Sequence, residues 1–261
     1  MNAVFITGAS SGLGAALARE YAAQGARVAL LGRRQDALET VRASMLQPDL
    51  HSIYVVDVCD AKALADAAQN FIQQVGVVNV VIASAGVSVG TLTQHQEDAA
   101  VFEKVIATNL FATTYTFAPF IAHMKQHAHE HDCRLVGIAS VAGIRGLPGA
   151  GAYSSSKAAV ISYCESLRVE LGPEQIKVVT IAPGYIDTAM TQVNDYKMPF
   201  LMPAAQFAQQ AVRKIQAGTS YCVIPWQMAA VAKVLRVLPN ALYDYFFTNA
   251  PRKKRQPASE K

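Results

Sequence analysis

Short apolar runs alternate with helix-like segments along this chain, and this alternation restricts its fold more than any other feature. The runs lack the polar alternation of half-exposed strands, so we interpret them as strands buried on both faces. They occupy residues 3–7, 27–32, 52–58, 78–86, 133–140, 177–183 and 221–225. Because helical patterns such as GAALAREYAAQG separate them, the sequence predicts an α/β fold: a doubly wound parallel sheet with helices on both faces.

The composition fits one domain with a large core. Of the 261 residues, 52% are hydrophobic and 16% charged, which supplies enough apolar material and excludes a disordered chain. No linker or repeat divides the chain. We therefore expect a single catalytic domain over 1–225, a helical extension over 226–250 and a basic, disordered tail over 251–261.

The positive charge is concentrated at the C-terminus. The net charge is +4, and the segment RKKRQPASEK (252–261) alone holds five bases and one acid. The remaining body is formally neutral, which argues against a nucleic-acid partner.

The N-terminus and the cysteines indicate the compartment. No signal-peptide pattern precedes NAVFITG, and no apolar run of about 18 residues predicts a spanning helix. The four cysteines are scattered and form no CxxC pair, as expected of free thiols in a reducing compartment. We expect a cytoplasmic protein.

A glycine-rich turn follows the first predicted strand. In TGASSGLG, Gly8, Gly12 and Gly14 stand between a strand and a helix. Small residues there let the backbone approach a pyrophosphate, and the helix N-terminus offers free N–H groups. An ordinary tight turn is the alternative, but the position at the first strand–helix crossover favours a dinucleotide site.

The end of the second predicted strand bears on the choice of dinucleotide. NAD-binding folds usually carry an acid here for the ribose 2′-hydroxyl. This chain has Arg33 and Arg34 instead. A guanidinium suits the dianionic 2′-phosphate, so NADP(H) is favoured, with solvated surface arginines as the alternative.

Seven motifs together identify a resemblance to a family. In chain order they are TGASSGLG, VVDV, ASAG, ATNLFATT, GIASVAG, AYSSSKAA and IAPGYIDT. Their order and spacing resemble those of the classical short-chain dehydrogenases/reductases over residues 3 to about 225. The resemblance implies a Rossmann-type fold, a nicotinamide cofactor and oxidoreduction of an alcohol or carbonyl group.

The resemblance also implies roles for individual residues. Tyr153 corresponds to the catalytic acid/base, and Lys157 to its helper, which also holds the nicotinamide ribose. Ser140 corresponds to the residue that polarises the carbonyl, and Asn109 to the one that anchors a proton-relay water. The implied cofactor contacts are Gly8, Ser10, Ser11, Gly12, Leu13, Gly14, Arg33, Arg34, Asp57, Val58, Ala85, Gly86, Tyr153, Lys157, Pro183, Gly184, Ile186 and Thr188. The family often has two asparagines where this chain has Ala83 and Ser84, which puts side-chain contacts at those two positions in doubt.

The chemistry of the central pair also follows from the residues themselves. Residues four apart on a helix lie side by side, so Lys157 is expected next to Tyr153. The ammonium should favour the phenolate and lower the high pKa of the tyrosine. Tyr153 could then exchange a proton with a substrate oxygen while Ser140 donates a hydrogen bond to it.

Two segments are expected to form the walls of a substrate pocket. Met190, Met198, Phe200 and Met202 lie in a predicted flap after Thr188, and GIRGLPGAGA (143–152) lies opposite. Methionine suits a permissive apolar pocket, so we expect a moderately apolar ketone or secondary alcohol. The alternative is that these side chains only pack the flap onto the domain.

The extension after Pro225 allows two interpretations. Met228, Val231, Leu235 and Leu238 form one helical stripe, and the basic cluster RKKR follows. We favour a helix packed on the domain or at a subunit interface over peripheral contact with an anionic membrane. Histidines at 123, 127, 129 and 131 resemble a metal motif, but we expect them to be surface side chains without a metal.

The sequence thus predicts an NADPH-preferring carbonyl reductase or alcohol dehydrogenase that acts on a small molecule. The alternatives are an NAD-linked alcohol dehydrogenase and a non-catalytic dinucleotide sensor. By family analogy we expect a homo-oligomer, with helices 98–126 and 154–171 as dimer faces.

Overall fold

The predicted doubly wound parallel sheet is confirmed. The computed structural model describes residues 2–250 and 252–255. Seven parallel strands form the sheet in the order β3-β2-β1-β4-β5-β6-β9, and β7 and β8 form a separate short pair. The strands are β1 Ala3–Thr7, β2 Arg27–Gly32, β3 Ser52–Val55, β4 Val80–Ala83, β5 Arg134–Ile138, β6 Lys177–Pro183, β7 Ile186–Asp187, β8 Met202–Pro203 and β9 Tyr221–Ile224.

Helices connect consecutive strands and cover both faces of the sheet. The α-helices are α1 Gly12–Ala23, α2 Gln35–Ala43, α3 Ala61–Val75, α4 Asp98–Ile106, α5 Ala112–His127, α6 Gly151–Leu171, α7 Ala189–Gln192, α8 Ala204–Gln216, α9 Trp226–Val237 and α10 Asn240–Phe247. A π-helical turn, Ala107–Phe111, joins α4 to α5, and short 3-10 turns lie at Pro48–Leu50 and Val141–Gly143.

Successive side chains of the buried strands enter two separate cores. In β1, Val4 and Ile6 join the core under α1, α2 and α8, whereas Ala3 and Phe5 join the core under α3, α5 and α6. Side chains of a strand point alternately to the two faces of a sheet. A strand between two helical layers must therefore be apolar at every position, which explains the continuous apolar runs.

The strand order reverses direction at β1. Val4 is paired with Val28 of β2 on one side and with Val80 of β4 on the other. The chain therefore leaves β1 towards one edge and later returns to fill the other. In doubly wound sheets, ligands bind at the carboxyl ends of the strands where this reversal opens a crevice.

The long helical stretch Asp98–His127 is apolar enough, by length and composition alone, to cross a membrane. The sequence patterns did not predict such a segment. In the structure, Phe117 and Phe120 of this stretch are fully buried and belong to the core beneath α5. Core helices of globular domains can pass the same test, and 39% of the apolar window is buried within the domain.

The two C-terminal helices are held on the domain by Arg145. Its guanidinium donates to the carbonyl oxygens of Leu235 and Leu238, at the C-terminus of α9, and lies 3.9 Å from the ring centroid of Tyr243 in α10. Tyr243 donates its hydroxyl to the carbonyl of Gly146 at 2.6 Å. A cation at carbonyl groups of a helix C-terminus is favourable, so Arg145 connects the extension to the loop before α6.

Candidate active site

A cleft of about 460 Å³ opens at the carboxyl ends of the central strands, where the strand order reverses. Every predicted cofactor contact lines it. So do Ser140, Tyr153 and Lys157, whereas Asn109 does not. Residues at the ends of six strands, β1 to β6, thus meet in one cavity beside the glycine turn.

Close packing explains the glycines of the turn. A Cβ atom on Gly14 would lie 2.3 Å from the carbonyl oxygen of Gly8, and one on Gly8 would lie 2.7 Å from Cα of Ala85. Gly8 also has a φ of +69°, a conformation that favours glycine. These contacts hold α1 and β4 against the turn and leave the backbone accessible from the cleft.

The N-terminus of α1 faces this cleft without a side-chain cap. Ser11 occupies the N-cap position but makes no capping hydrogen bond with its side chain. The first N–H groups of a helix have no partner within the helix and carry partial positive charge. Gly12 and Leu13, which line the cleft, present these groups to it. The turn is therefore suited to a phosphate group.

Basic residues surround the end of the cleft beyond β2. Arg33 and Arg34 line it as predicted, and the Arg33 side chain is 65% exposed. Nη1 of Arg33 lies 3.9 Å from Oδ2 of Asp57, a loose contact that leaves most of the guanidinium accessible. Lys104 of α4 also lines the cleft, although no sequence motif points to it. Lys104 lies in an unremarkable helical pattern, so only the fold could bring it there.

The side chains of Ser140, Tyr153 and Lys157 converge at the opposite end. Ser140 precedes the 3-10 turn Val141–Gly143, and its Oγ accepts the backbone N–H of Ala142 at 3.1 Å. Tyr153 and Lys157 lie one turn apart on α6, with Nζ 5.9 Å from the centroid of the tyrosine ring. The predicted shared cleft is therefore present.

The electrostatics of Tyr153 differ from the expectation. Burial raises the pKa of Tyr153, and hydrogen bonding with Ser140 acts in the opposite direction without overcoming it. The argument that the ammonium of Lys157 makes the phenol acidic is therefore wrong for this structure. Nζ of Lys157 donates to the carbonyl oxygen of Ile138 at 2.7 Å, so part of its hydrogen-bonding capacity is directed to the strand end.

Lys157 is itself strongly perturbed. Its side chain is 5% exposed, and burial lowers the pKa of its ammonium to about 8, with a small opposing effect of Cys164. Removal from water disfavours a charged group unless a counter-charge is near. The hydrogen bond to Ile138 fixes the position of the amine but supplies no full negative charge.

Asn109 lies behind the cleft wall. Its side chain accepts the N–H of Val87 at 2.8 Å, and it donates to the carbonyl of Val87 at 3.0 Å and to Oγ of Ser156 at 2.9 Å. These bonds hold the turn after β4 against α6. The backbone carbonyl of Asn109, within the π-helical turn, accepts the hydroxyl of Thr113. Its relay role stays a prediction, and the side chain positions the turn.

The predicted flap contributes unequally to the cleft. Met190 lines it, whereas Met202 is buried in the core under α8, and Phe200 is half exposed. Tyr196 of the same flap lies close enough to Tyr153 for its pKa, which burial raises to about 12, to be affected by it. The packing alternative therefore applies to Met202, and the pocket interpretation to Met190.

The basic tail contacts the domain where the structure describes it. Arg255 forms ion pairs with Glu97 and Asp98, at 2.8 and 2.9 Å, and Lys254 lies 3.2 Å from Asp195. Residues 252–255 therefore lie against the domain, and the expected disorder of the tail stays a prediction. Acids on the domain surface neutralise these bases. Residues 251 and 256–261 lie outside the described part of the chain.

The histidine cluster and the cysteines show no metal-like arrangement. The rings of His123 and His127 lie 4.6 Å apart, and Nε2 of His123 accepts the N–H of Val78. Within residues 2–250 and 252–255, no three His, Cys, Asp or Glu side chains are grouped as metal ligands. All four cysteines are free thiols.

The short chain dehydrogenase family model matches residues 2–198. The chain belongs to this family. A curated relative, an uncharacterised oxidoreductase of Myxococcus xanthus, is 35% identical over 92% of this chain and 93% of its own length. Another, 11-beta-hydroxysteroid dehydrogenase-like 2 of Arabidopsis thaliana, is 30% identical over 94% of this chain and 82% of its own.

The fold comparison agrees with this membership. The crystal structure of 3-ketoacyl-(acyl-carrier-protein) reductase from Brucella melitensis complexed with NADH has a TM-score of 0.79 to this chain. It is 22% identical and covers 85% of this chain and 96% of that one. This short chain dehydrogenase is therefore an oxidoreductase with the Rossmann-like architecture of its family.

One departure from the family pattern is visible at the end of β4. Ser84 lines the cleft at one of the two positions that often hold asparagine. Its buried Oγ has no hydrogen-bond partner among residues 2–250 and 252–255. Buried hydroxyls normally have a partner, so this oxygen is available to a ligand in the cleft.

Proposed function

We propose that this short chain dehydrogenase is an NADPH-preferring carbonyl reductase or alcohol dehydrogenase that uses Tyr153 as the proton donor or acceptor. The observation that carries the proposal is the convergence of Ser140, Tyr153 and Lys157 in the cleft that also holds the glycine turn. A dinucleotide sensor would need the turn but not the acid.

The residues of the cleft fit a dinucleotide. The glycine turn has no room for a Cβ atom at Gly8 or Gly14, and the uncapped start of α1 faces the same space. The unpartnered hydroxyl of Ser84 adds a free polar group. When bound, the nicotinamide supplies the hydride. The protein supplies the position of the substrate and the proton.

The proton chemistry follows from the two hydroxyl groups. The N–H of Ala142 donates to Oγ of Ser140, and the Ser140 hydroxyl is hydrogen-bonded to Tyr153, so the two hydroxyl groups lie together in the cleft. A substrate carbonyl oxygen there would accept a hydrogen bond from Ser140 and a proton from the phenol of Tyr153. Burial raises the pKa of Tyr153, so the phenol holds its proton at neutral pH, as a donor must.

The charges at the far end of the cleft support the preference for NADPH. Arg33, Arg34 and Lys104 line the same cleft, and Asp57 lies 3.9 Å from Arg33. Three cations suit a 2′-phosphate dianion better than a neutral hydroxyl. The NADH in the Brucella structure does not bear on this choice, because at 22% identity the likeness concerns the fold.

The substrate side of the cleft supports an apolar ketone or secondary alcohol. Val87 and Met190, which are not among the predicted cofactor contacts, line the same cleft as Tyr153. The similarity to 11-beta-hydroxysteroid dehydrogenase-like 2 favours the same class. A small charged ketone would gain little from these side chains.

The experiment compares NADPH with NADH in Arg33→Ala, Lys104→Ala and the control Arg213→Ala, which removes the same charge from α8 outside the cleft. A hydrogen bond between charged groups contributes about 1.5–3 kcal/mol. We expect Arg33→Ala to lower kcat/KM for NADPH by roughly 10- to 100-fold, with NADH unaffected. Equal use of NADH and NADPH by the wild-type enzyme would contradict the NADPH preference.

A further inference from the structure

Four residues near the C-terminus, Arg252 to Arg255, lie along the substrate side of the domain; we name them the C-terminal strap. The strongest contact is made by Arg255. Its Nε and Nη2 donate to the two carboxylate oxygens of Asp98 at 2.9 and 3.0 Å, and Nη2 also donates to Glu97 at 2.8 Å. This two-point geometry fixes the orientation of both partners.

Asp98 makes this contact more than a surface ion pair. It is 3% exposed, and its Oδ2 also accepts the N–H of Leu92 at 2.7 Å. Exposed single-contact pairs contribute little, but this carboxylate is shared between the two-point contact with Arg255 and the N–H of Leu92. Asp98 therefore links Arg255 to the loop that contains Leu92.

The middle of the strap contacts the same loop directly. Lys253 donates from Nζ to Oγ of Ser88 at 2.8 Å, and the N–H of Gly90 donates to the carbonyl of Lys254 at 3.2 Å. A Cβ atom on Gly90 would overlap the carbonyl oxygen of Lys253, so the two backbones touch. The strap thus packs on residues 88–92 as closely as a neighbouring strand.

The strap also reaches the two other loops that border the catalytic residues. Arg252 lies against Gly149, where a Cβ atom would come within 2.9 Å of it, and Lys254 pairs with Asp195 of the flap. Residue 149 precedes α6, which carries Tyr153, and Asp195 is adjacent to Tyr196. Thr91 links two of these loops directly, because its N–H donates to the carbonyl of Gly149 at 3.0 Å.

We infer that the C-terminal strap completes the substrate pocket by fastening these three loops around Tyr153, with Arg255 as the positioning residue. The inference rests on the proposed function for its kinetic readout. The cofactor turn lies at the other end of the cleft and makes none of these contacts. Loss of the strap should therefore weaken substrate binding and leave cofactor binding intact.

The experiment compares the full chain with truncations after Ala250 and after Arg255. The second truncation is the matched control, because it removes the end of the chain but keeps the strap. We expect truncation after Ala250 to raise KM for an apolar ketone at least roughly tenfold, with the Kd for NADPH changed less than about twofold. The control should match the full chain in both. An unchanged KM after removal of 251–261 would overturn the inference.

Hydrogen exchange measures the same effect without catalysis. Amide exchange in residues 86–92 should become faster in the shorter truncation and stay unchanged in the control. This arm separates the two hypotheses. If the full chain reduces no ketone but amide exchange in residues 86–92 becomes faster in the shorter truncation, the proposed function is wrong and the role of the strap is supported. If amide exchange is unchanged, the role of the strap is contradicted, whatever the activity.

Point variants test the same inference in a full-length chain, where misfolding caused by truncation does not arise. Arg255→Gln should raise KM, whereas Lys62→Ala, which breaks an exposed pair with Asp66 on α3, should not. Adding Asp98→Asn to Arg255→Gln removes the uncompensated carboxylate and should restore part of the loss. An Arg255→Gln enzyme with the KM of the wild type would contradict the assignment of Arg255.

Discussion

Nζ of Lys157 lies 5.9 Å from the ring centroid of Tyr153, on the next turn of α6. The four-residue spacing brings the two side chains together. The ammonium, however, donates to the carbonyl of Ile138 at 2.7 Å, and the pKa of the phenol is raised by burial. In this structure Lys157 is a fixed cation near the cofactor site and does not acidify the tyrosine.

This arrangement predicts that Tyr153 remains protonated near neutral pH. The phenolate absorbance of the wild type minus that of Tyr153→Phe should show no ionisation step between pH 6 and about 9, because a raised pKa lies above the ordinary value of about 10. A step near pH 7 in the free enzyme would show that the neighbouring ammonium does dominate.

The lowered pKa of Lys157 predicts a pH dependence of stability. Its folded pKa of about 8 lies below the ordinary 10.5, so between these values the unfolded chain binds more protons. The free energy of unfolding contributed by this group therefore rises with pH across that window. Urea melts of wild type and Lys157→Met at pH 7 and pH 10 measure this effect. From pH 7 to pH 10, the free energy of unfolding should rise less, or fall more, in the variant than in the wild type. Parallel pH profiles would contradict the perturbed pKa.

Asn109 is predicted to support the site through the turn after β4. Asn109→Ala removes its hydrogen bonds to Val87 and Ser156 and leaves buried groups unpaired, which should cost about 1–3 kcal/mol of unfolding free energy. The exposed Asn70→Ala, which loses contacts to Tyr54 and Gln74, should stay within about 0.5 kcal/mol of wild type. Denaturant melts measure both. Equal stability of the two variants would show that the Asn109 contacts are dispensable.

Gly14 is predicted to be intolerant of any side chain. In Gly14→Ala the new methyl group meets the carbonyl oxygen of Gly8 at 2.3 Å, so the turn must move. We expect a loss of about 1–3 kcal/mol in stability, with NADPH binding strongly weakened. Gly146→Ala, where nothing lies within 4 Å of the added atom, is the matched control. Normal NADPH affinity in Gly14→Ala would mean that the turn does not hold the cofactor.

The sheet and the cleft could be predicted because their signals are local. Buried parallel strands must be apolar at each position, and the glycine turn needs small residues at fixed places. Because the parallel strands all end at the same edge of the sheet, residues as distant in sequence as Gly8 and Tyr153 lie in one cavity. Short-range patterns and one topological rule suffice for this part.

The remaining features depend on contacts that no local pattern encodes. Lys104 enters the cleft only because α4 passes beside the cofactor end. The pKa of Tyr153 depends on how deeply the fold buries it, which i,i+4 spacing does not specify. Similarly, a run of bases predicts a solvated tail until acids such as Asp98 are found next to it.

The most direct test of the account is oxidation of NADPH with a panel of ketones by wild type, Tyr153→Phe and Tyr163→Phe. Tyr163 lies on the same helix but stacks on Phe117, away from the cleft. We predict that the wild type reduces apolar ketones and that Tyr153→Phe is slower by roughly a hundred- to ten-thousand-fold, with unchanged Kd for NADPH and a near-normal Tyr163→Phe. Full activity of Tyr153→Phe would contradict the central role of this phenol.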